Sequence, residues 1–178
     1  MIVIVDNGKA AENIKSMIRT PTTIAKPPKI QKAMSYILSD GQLNPQTKKA
    51  NEDIVKTATG PVLGIGLGAA YILSAFGADI KKRTVKKAPI TVSLKKPSPL
   101  LLDMKRVFSV VCTSEYTVDN LPENFEVHTT SKEYDFEIVQ EMERPFFAVH
   151  FNPEDGGDGL KILTNFARFA EMWQKYHK

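Results

Sequence analysis

The segment Val62-Leu-Gly-Ile-Gly-Leu-Gly-Ala-Ala-Tyr71 carries the clearest fold signal in the chain, because an apolar strand runs through closely spaced glycines directly into a helix. We predict the strand over residues 61–65 and the helix over residues 69–76. A G-x-x-x-G turn between a strand and a helix is typical of a nucleophile elbow, whose middle residue is strained and points into a pocket. The middle residue here is Gly66, which has no side chain and adopts a positive φ at little cost.

Short strands and helices alternate over the first half of the chain. The apolar pattern predicts strands at residues 2–5, 22–25 and 35–38, and helices at residues 10–18, 30–34 and 48–57. This alternation predicts an α/β fold of three layers, in which a mostly parallel sheet is covered by helices on both faces.

From Arg83 onward the pattern changes to strands separated by turn residues, which predicts an antiparallel excursion. These strands are predicted at residues 85–94, 101–113, 125–129, 136–142 and 146–151. An amphipathic helix follows over residues 159–173. Its apolar stripe is expected to pack on the core, and it consists of Leu160, Leu163, Phe166, Phe169 and Trp173.

The composition indicates one globular domain over residues 1–178. Hydrophobic residues make up 42% and charged residues 25%, which is an ordinary balance for a chain that buries a core. The first residues read as a strand without the basic start of a signal peptide, and the apolar run over residues 61–76 is too short to span a membrane. We therefore expect a cytoplasmic protein.

Cys112 is the single cysteine, so no internal disulfide can form. It lies in the predicted strand Val107-Phe-Ser-Val-Val-Cys-Thr113. We interpret it as a small buried apolar side chain rather than as a catalytic thiol.

Two segments resemble the signature motifs of the class I glutamine amidotransferases. The family's G-I-C-L-G-H-Q is matched by Gly64-Ile-Gly-Leu-Gly-Ala-Ala70, and its V-Q-F-H-P-E is matched by Val149-His-Phe-Asn-Pro-Glu154. The resemblance implies a flavodoxin-like fold, in agreement with the predicted three layers.

The resemblance extends over almost the whole chain. Segments 1–8, 121–125 and 162–166 are similar to parts of the glutaminase subunit of GMP synthase, and segment 112–118 falls at a further family motif. Tyr36-Ile-Leu-Ser-Asp-Gly41 lies where the family has its S-G-G-P oxyanion loop, of which only the second glycine is kept.

The same resemblance implies that the catalytic side chains have been replaced. The nucleophilic cysteine corresponds to Gly66 and the general-base histidine to Asn152, while the orienting glutamate is kept as Glu154. The remaining pocket and oxyanion positions are Gly41, Gly64, Leu67, Gly68, Ala69, Ala70 and His150. Because a thioester mechanism needs a thiolate and a base, we expect that the chain does not hydrolyse glutamine and is not an enzyme. We also expect no metal or cofactor.

The resemblance further implies a role as a pseudo-glutaminase that binds or regulates a partner. That partner would be a synthetase subunit of the ATP-pyrophosphatase kind or another protein. Glu154 also has a simpler interpretation, in which its carboxylate caps a turn after Asn152 and Pro153.

Two other functions use the elbow differently. A vacant elbow at a helix N-terminus could bind a small anion or an amino acid without reaction. Alternatively, Gly64, Gly66 and Ala69 fit the relaxed G-x-G-x-x-G/A fingerprint of nucleotide-binding proteins. The acidic residue that this fingerprint needs is missing, because Asp79 comes too early in the chain.

A basic run follows the elbow helix and leaves three interpretations open. Its cations are Lys81, Lys82, Arg83, Lys86 and Lys87. They could form a solvated edge strand, a docking patch for an acidic protein surface, or a site for nucleic acid. Nucleic acid is the weakest of the three, because no aromatic side chains are interleaved with the cations.

Overall fold

The computed structural model describes residues 1–85 and 88–177. The helices within them are α1 (Ala11–Met17), α2 (Pro45–Thr57), α3 (Leu67–Ala75) and α4 (Gly159–Tyr176). The strands are β1 (Ile2–Val5), β2 (Thr22–Ala25), β3 (Ser35–Leu38), β4 (Val62–Ile65), β5 (Ile80–Lys82), β6 (Pro89–Leu94), β7 (Val107–Val111), β8 (Tyr116–Val118), β9 (Phe125–Ser131), β10 (Ile138–Glu141) and β11 (Phe146–Val149).

Nine of these strands form one mixed sheet in the order β2-β1-β3-β4-β11-β10-β9-β6-β7. The first five in this order are parallel, and the remaining four continue the sheet in antiparallel fashion. Strands β5 and β8 pair separately as an antiparallel ribbon. The sequence-based prediction of a mostly parallel sheet with an antiparallel excursion is therefore confirmed.

Helices cover both faces of the parallel part of the sheet. On one face, α1 and α4 contribute Ile14 and Phe166 to a buried cluster. On the other face, α2 and α3 contribute Val55 and Ile72 to a second cluster. Every residue of β1, β3, β4 and β11 is buried, which explains why these strands read as continuous apolar runs rather than as alternating ones.

Two predicted elements differ clearly from the structure, and two strands were not predicted. No helix forms over residues 30–34, where a turn at Pro27 and Pro28 leads into irregular chain that is too short to propagate a helix. The strand predicted over 101–113 is reduced to β7, because Ser98 caps a short 3-10 helix over Pro99–Leu101. Strands β5 and β8 were both missed; the residues of β5 lie in or directly before the basic run.

The stripe of α4 is only partly buried. Leu163 and Phe166 are fully buried as expected, whereas Leu160 is 50% exposed. Leu160 lies two positions before the buried Ile162, which places the two side chains on opposite sides of the helix. The core-facing stripe therefore begins at Ile162.

Cys112 is 6% exposed and free, as the interpretation of a small buried side chain requires. Burial raises the pKa of its thiol. Across residues 1–85 and 88–177, the structure contains no helix whose length and apolar character would allow it to cross a membrane.

Candidate functional site

The elbow lies between β4 and α3. Gly66 joins them with φ 56° and ψ −112°, a conformation that side chains disfavour, and its amide donates to the Val149 carbonyl at 2.8 Å. The helix starts at once with Leu67. The strand, the tight turn and the helix therefore have the arrangement of a nucleophile elbow, with glycine at its centre.

The glycines on either side of Gly66 allow close packing. A Cβ atom placed on Gly68 would lie 2.1 Å from the Leu38 carbonyl oxygen, and one placed on Gly64 would lie 2.5 Å from the Gly68 carbonyl oxygen. Helix α3 thus rests directly on β3 and β4, which holds the Leu67 amide at the end of the sheet.

The space in front of Gly66 is filled by Asp40, so the vacant elbow expected from the sequence is wrong. The Asp40 side chain is 2% exposed. Its Oδ1 accepts hydrogen bonds from the Leu67 amide at 2.9 Å and from the Ser114 hydroxyl at 3.1 Å, and its Oδ2 accepts one from the Asn152 amide at 3.1 Å. A Cβ atom on Gly66 would lie 2.6 Å from Asp40 Oδ1.

Asn152 connects this carboxylate to a second one. Its Oδ1 accepts from the backbone amides of Thr113 at 2.8 Å and Ser114 at 2.9 Å, which fixes the orientation of the side chain. Its Nδ2 therefore faces inward and donates to Asp40 Oδ2 and, at 3.1 Å, to Glu154 Oε1.

Glu154 belongs to this buried cluster, which corrects its interpretation as a turn cap. It lies in the 3-10 helix Pro153–Asp155, and among the described residues its Oε2 has no hydrogen-bond partner. Burial raises its pKa to about 7, and the nearby carboxylates of Asp155 and Asp40 act in the same direction. Glu154 is therefore partly protonated at neutral pH.

Lys9 covers the cluster from the loop after β1. Its Nζ lies 3.6 Å from Asp40 Oδ2 and donates to the Thr113 hydroxyl, which in turn donates to Asp155 at 2.7 Å. These groups follow strands β1, β3, β4, β7 and β11. They meet at the carboxyl ends of the parallel strands, where open α/β sheets bind their ligands.

The other expected pocket residues lie behind the elbow or beside it. Ala69 and Ala70 lie in the first turn of α3 and are fully buried in the core. His150 is also fully buried against Tyr134, and burial together with the Arg83 cation lowers its pKa to about 3, so the imidazole is neutral. Gly41 packs on the backbone of Asn7, since a Cβ there would lie 1.8 Å from the Asn7 carbonyl oxygen.

The basic run does not form a continuous cationic patch in the described part of the chain. Lys81 pairs with Asp119 at 3.3 Å, and Lys82 is exposed. The Arg83 side chain is only 14% exposed; it contacts Cys112 and donates to the His150 carbonyl at 2.8 Å. Arg83 is thus half-buried with its guanidinium turned inward, unlike the exposed cation that a docking patch requires. Lys86 and Lys87 lie outside the described residues.

Sequence reasoning missed the residues that fill the elbow, above all Asp40, Lys9 and Ser114. The sequence did contain an indication that Asp40 lies at the site, because this aspartate stands where the family's oxyanion loop has its first glycine. The groups of His, Cys, Asp and Glu in the described ranges include no cluster of three or more that could hold a metal ion.

Two similar proteins match this chain over nearly their whole length, and a third is much longer than the chain. The chain is 28% identical over 188 residues to one subunit of GMP synthase [glutamine-hydrolyzing] from Methanococcus aeolicus, which covers 97% of this chain and 98% of that protein. The corresponding subunit from Methanocaldococcus jannaschii is 28% identical over 183 residues, covering 94% of this chain and 96% of that protein. GMP synthase [glutamine-hydrolyzing] of Campylobacter lari is 34% identical over 113 residues, but the chain spans only 22% of that protein's length.

These relatives contradict the expectation that the chain is not an enzyme, because their names are those of glutamine-hydrolysing enzymes. The expectation rested on the replacement of the family's cysteine by Gly66 and of its histidine by Asn152. It overlooked the buried carboxyl group of Asp40, which shares the donor Asn152 with Glu154 at the same elbow, so the absence of a thiol does not decide against acid–base chemistry there.

Solved structures confirm the fold. A putative GMP synthase subunit from Thermoplasma acidophilum superposes with a TM-score of 0.89 at 21% identity, covering 99% of this chain and 96% of that chain. A glutamine amidotransferase from Thermotoga maritima superposes with a TM-score of 0.69 at 15% identity, covering 99% and 84%.

The family model described as Glutamine amidotransferase class-I matches residues 3–168, which include the elbow and the whole Asp40, Asn152 and Glu154 cluster. The resemblance read from the two signature segments is thereby confirmed, and the chain belongs to the class I glutamine amidotransferase family.

Proposed function

We propose that the chain is the amidotransferase subunit of a two-subunit, GMP synthase-like enzyme and works in contact with a synthetase subunit. The observation that carries this proposal is the near-complete mutual coverage with the Methanococcus aeolicus subunit, 97% of this chain and 98% of that protein. A relative that is named as one subunit of an enzyme, and that has the length of this chain, supports an assembly of the same kind. The partner would supply the synthetase activity.

The face at the carboxyl ends of the parallel strands is the proposed contact surface. It carries the elbow, and any product released there leaves through it. Leu43 lies on this face, 45% exposed, and its amide donates to the Tyr116 hydroxyl at 3.1 Å. An exposed apolar residue on an ordered loop beside the site is suited to contact with another protein.

The elbow of this chain lacks the nucleophile that a covalent mechanism needs. Position 66 has no side chain, so an acyl-enzyme intermediate cannot form there. Cys112 is buried against Arg83 and the His150 carbonyl. Among the described residues, Asp40 and Glu154 are the carboxyl groups that Asn152 bonds at the elbow, and proton transfer to or from a ligand there would use them.

The test is to mix the purified chain with the synthetase subunit of the same organism, with its nucleotide substrates present, and to measure the mass of the complex by light scattering. A defined heteromeric complex is expected. Leu43→Asp should weaken it about tenfold, because a charge would be buried at the contact. If no complex forms at the highest concentrations that remain soluble, the proposal is wrong.

Met172→Asp provides the matched control. Met172 is likewise an exposed apolar residue, 60% accessible, but it lies on the last part of α4. That part adjoins the start of β1, because the Met1 ammonium group donates to Gln174, so Met172 lies at the end of the sheet opposite the elbow. The control variant is expected to form the complex with the same affinity that the unmodified chain has. Equal weakening by both variants would place the contact elsewhere.

A further inference from the structure

We propose that the elbow is a carboxylate-binding site that the chain occupies with its own Asp40, and that a small free carboxylate takes the same donors once this side chain is removed. The inference rests on the geometry of the elbow and is independent of the proposed subunit role. Its ligand class is a planar, singly charged carboxylate of the size of formate or acetate.

Three hydrogen-bond donors converge on the Asp40 carboxylate from different parts of the chain. They are the backbone amide of Leu67, the hydroxyl of Ser114 and the side-chain amide of Asn152, at 2.9, 3.1 and 3.1 Å. Lys9 adds a positive charge 3.6 Å from Oδ2. Donors on both oxygens of one planar group, together with a cation, form a site that selects carboxylates over neutral ligands.

Two of these donors, and Lys9, are held in place by contacts that do not involve Asp40. Asn152 is oriented by the amides of Thr113 and Ser114, and the Leu67 amide is fixed because α3 packs tightly on the sheet. Lys9 is held by its hydrogen bond to Thr113. Removal of the Asp40 side chain should therefore leave a preformed cradle whose buried donors lack acceptors, which is an unfavourable state that an added anion relieves.

The second carboxyl group nearby does not prevent an anion from binding. Asn152 lies between Asp40 and Glu154 and donates one hydrogen to each, so the two carboxyl groups are separated by a shared donor. The position of the free carboxylate would be that of Asp40 itself. Gly66 leaves the necessary room, since no side chain projects from the elbow into this space.

Self-occupation has a consequence for the unmodified chain. Asp40 lies two residues after the end of β3 and is covalently attached to the site. It therefore competes with any free carboxylate for the three hydrogen-bond donors at a high effective concentration. An outside ligand can use the Leu67 amide only after Asp40 has moved away. Asp40 therefore acts as a plug that keeps the elbow closed to carboxylates.

The test compares thermal unfolding of Asp40→Gly with and without sodium formate, against sodium chloride at equal ionic strength. Formate is expected to raise the melting temperature of Asp40→Gly saturably, by about 5 °C, and to raise that of the unmodified chain by less than about 1 °C. Asp40→Asn is the matched control, because its side chain fills the space and leaves none for formate. Equal shifts in all three proteins would overturn the proposal.

A second measurement covers the case in which Asp40→Gly does not fold under ordinary conditions. The variant Asp40→Ala is diluted from urea into buffer with formate or with chloride, and the refolded fraction is measured by circular dichroism. Formate is expected to increase this fraction at least about twofold. A refolded fraction that is the same in formate and chloride contradicts the proposed site.

Discussion

The Asp40 carboxylate accepts a hydrogen bond from the Leu67 amide at 2.9 Å, so the chain places one of its own acidic groups at the helix terminus that closes the elbow. Helix N-termini favour negative charge because their first amide groups have no partners within the helix. Asp40 satisfies this terminus internally. The pairing also explains why position 66 has no room for a side chain, since a Cβ there would lie 2.6 Å from the same carboxylate.

Gly66→Ala is expected to lower the free energy of unfolding by about 2–4 kcal/mol. The new methyl group would meet Asp40 and, at 2.7 Å, the Ser114 hydroxyl, and it would sit on a backbone with positive φ. Equilibrium unfolding in urea measures the loss. Because the clash involves Asp40, the loss should be smaller when the same substitution is made in an Asp40→Ala background.

Gly77→Ala separates the clash from the backbone strain. Gly77 also has a positive φ, of 98°, but a Cβ there would meet nothing within 4 Å. Its substitution should therefore cost only the backbone term, about 1 kcal/mol. If Gly77→Ala and Gly66→Ala cost the same, the space in front of Gly66 is not filled as the structure places it.

Much of the fold could be predicted from the sequence because its strands are short apolar runs with clear turn residues. The bounds of β1, β2 and β3 were predicted to the residue. The errors fall where local signals compete. The 3-10 helix that begins at Pro99 continues into a turn at residues 102–103, so the first part of the run predicted as a strand over 101–113 does not form one. The lysines of β5 gave no strand signal, and β5 is held by pairing with the distant β8.

The candidate site was less accessible to sequence reasoning. The elbow itself could be found, because strand, glycine turn and helix are contiguous in the chain. Its occupant could not be found in this way, because Asp40 reaches Leu67 from another strand, 27 residues away, and Lys9 and Ser114 come from two further loops. Arg83 was misassigned for a related reason, since a basic run gives no indication of which cation turns inward.

Arg83→Ala is expected to destabilise the chain by about 2–4 kcal/mol, because it removes the hydrogen bond to the His150 carbonyl and the cation 4.0 Å from the buried Glu137. The neighbouring exposed Lys82 supplies the control, and Lys82→Ala should change stability by less than about 0.5 kcal/mol. Urea unfolding measures both. If both variants change the free energy of unfolding by similarly small amounts, the Arg83 side chain does not make these buried contacts.

Cys112 is expected to resist thiol reagents in the folded chain. It is buried and its thiol pKa is raised by burial, so little thiolate is present and access is restricted. Reaction with a chromogenic disulfide should be at least about tenfold slower than in urea-unfolded chain. If the proposed complex with the synthetase subunit releases ammonia from glutamine, treatment with an alkylating reagent should leave that rate unchanged. Loss of that activity in step with labelling of Cys112 would show that the thiol takes part.

The stability of the chain should depend on the titration of Glu154. Burial raises its folded-state pKa from the ordinary value of 4.5 to about 7, so the unfolded chain releases this proton at lower pH than the folded chain does. The stabilisation is fully present below the unfolded pKa and is lost as the pH rises through the folded pKa.

Between about pH 5 and about pH 8 the free energy of unfolding of the unmodified chain should fall by about 2 kcal/mol relative to that of Glu154→Gln. The glutamine cannot ionise and keeps an oxygen that accepts from Asn152. Urea unfolding of both proteins at the two pH values measures this difference. Parallel pH profiles would mean that Glu154 ionises with equal ease in the folded and unfolded chains.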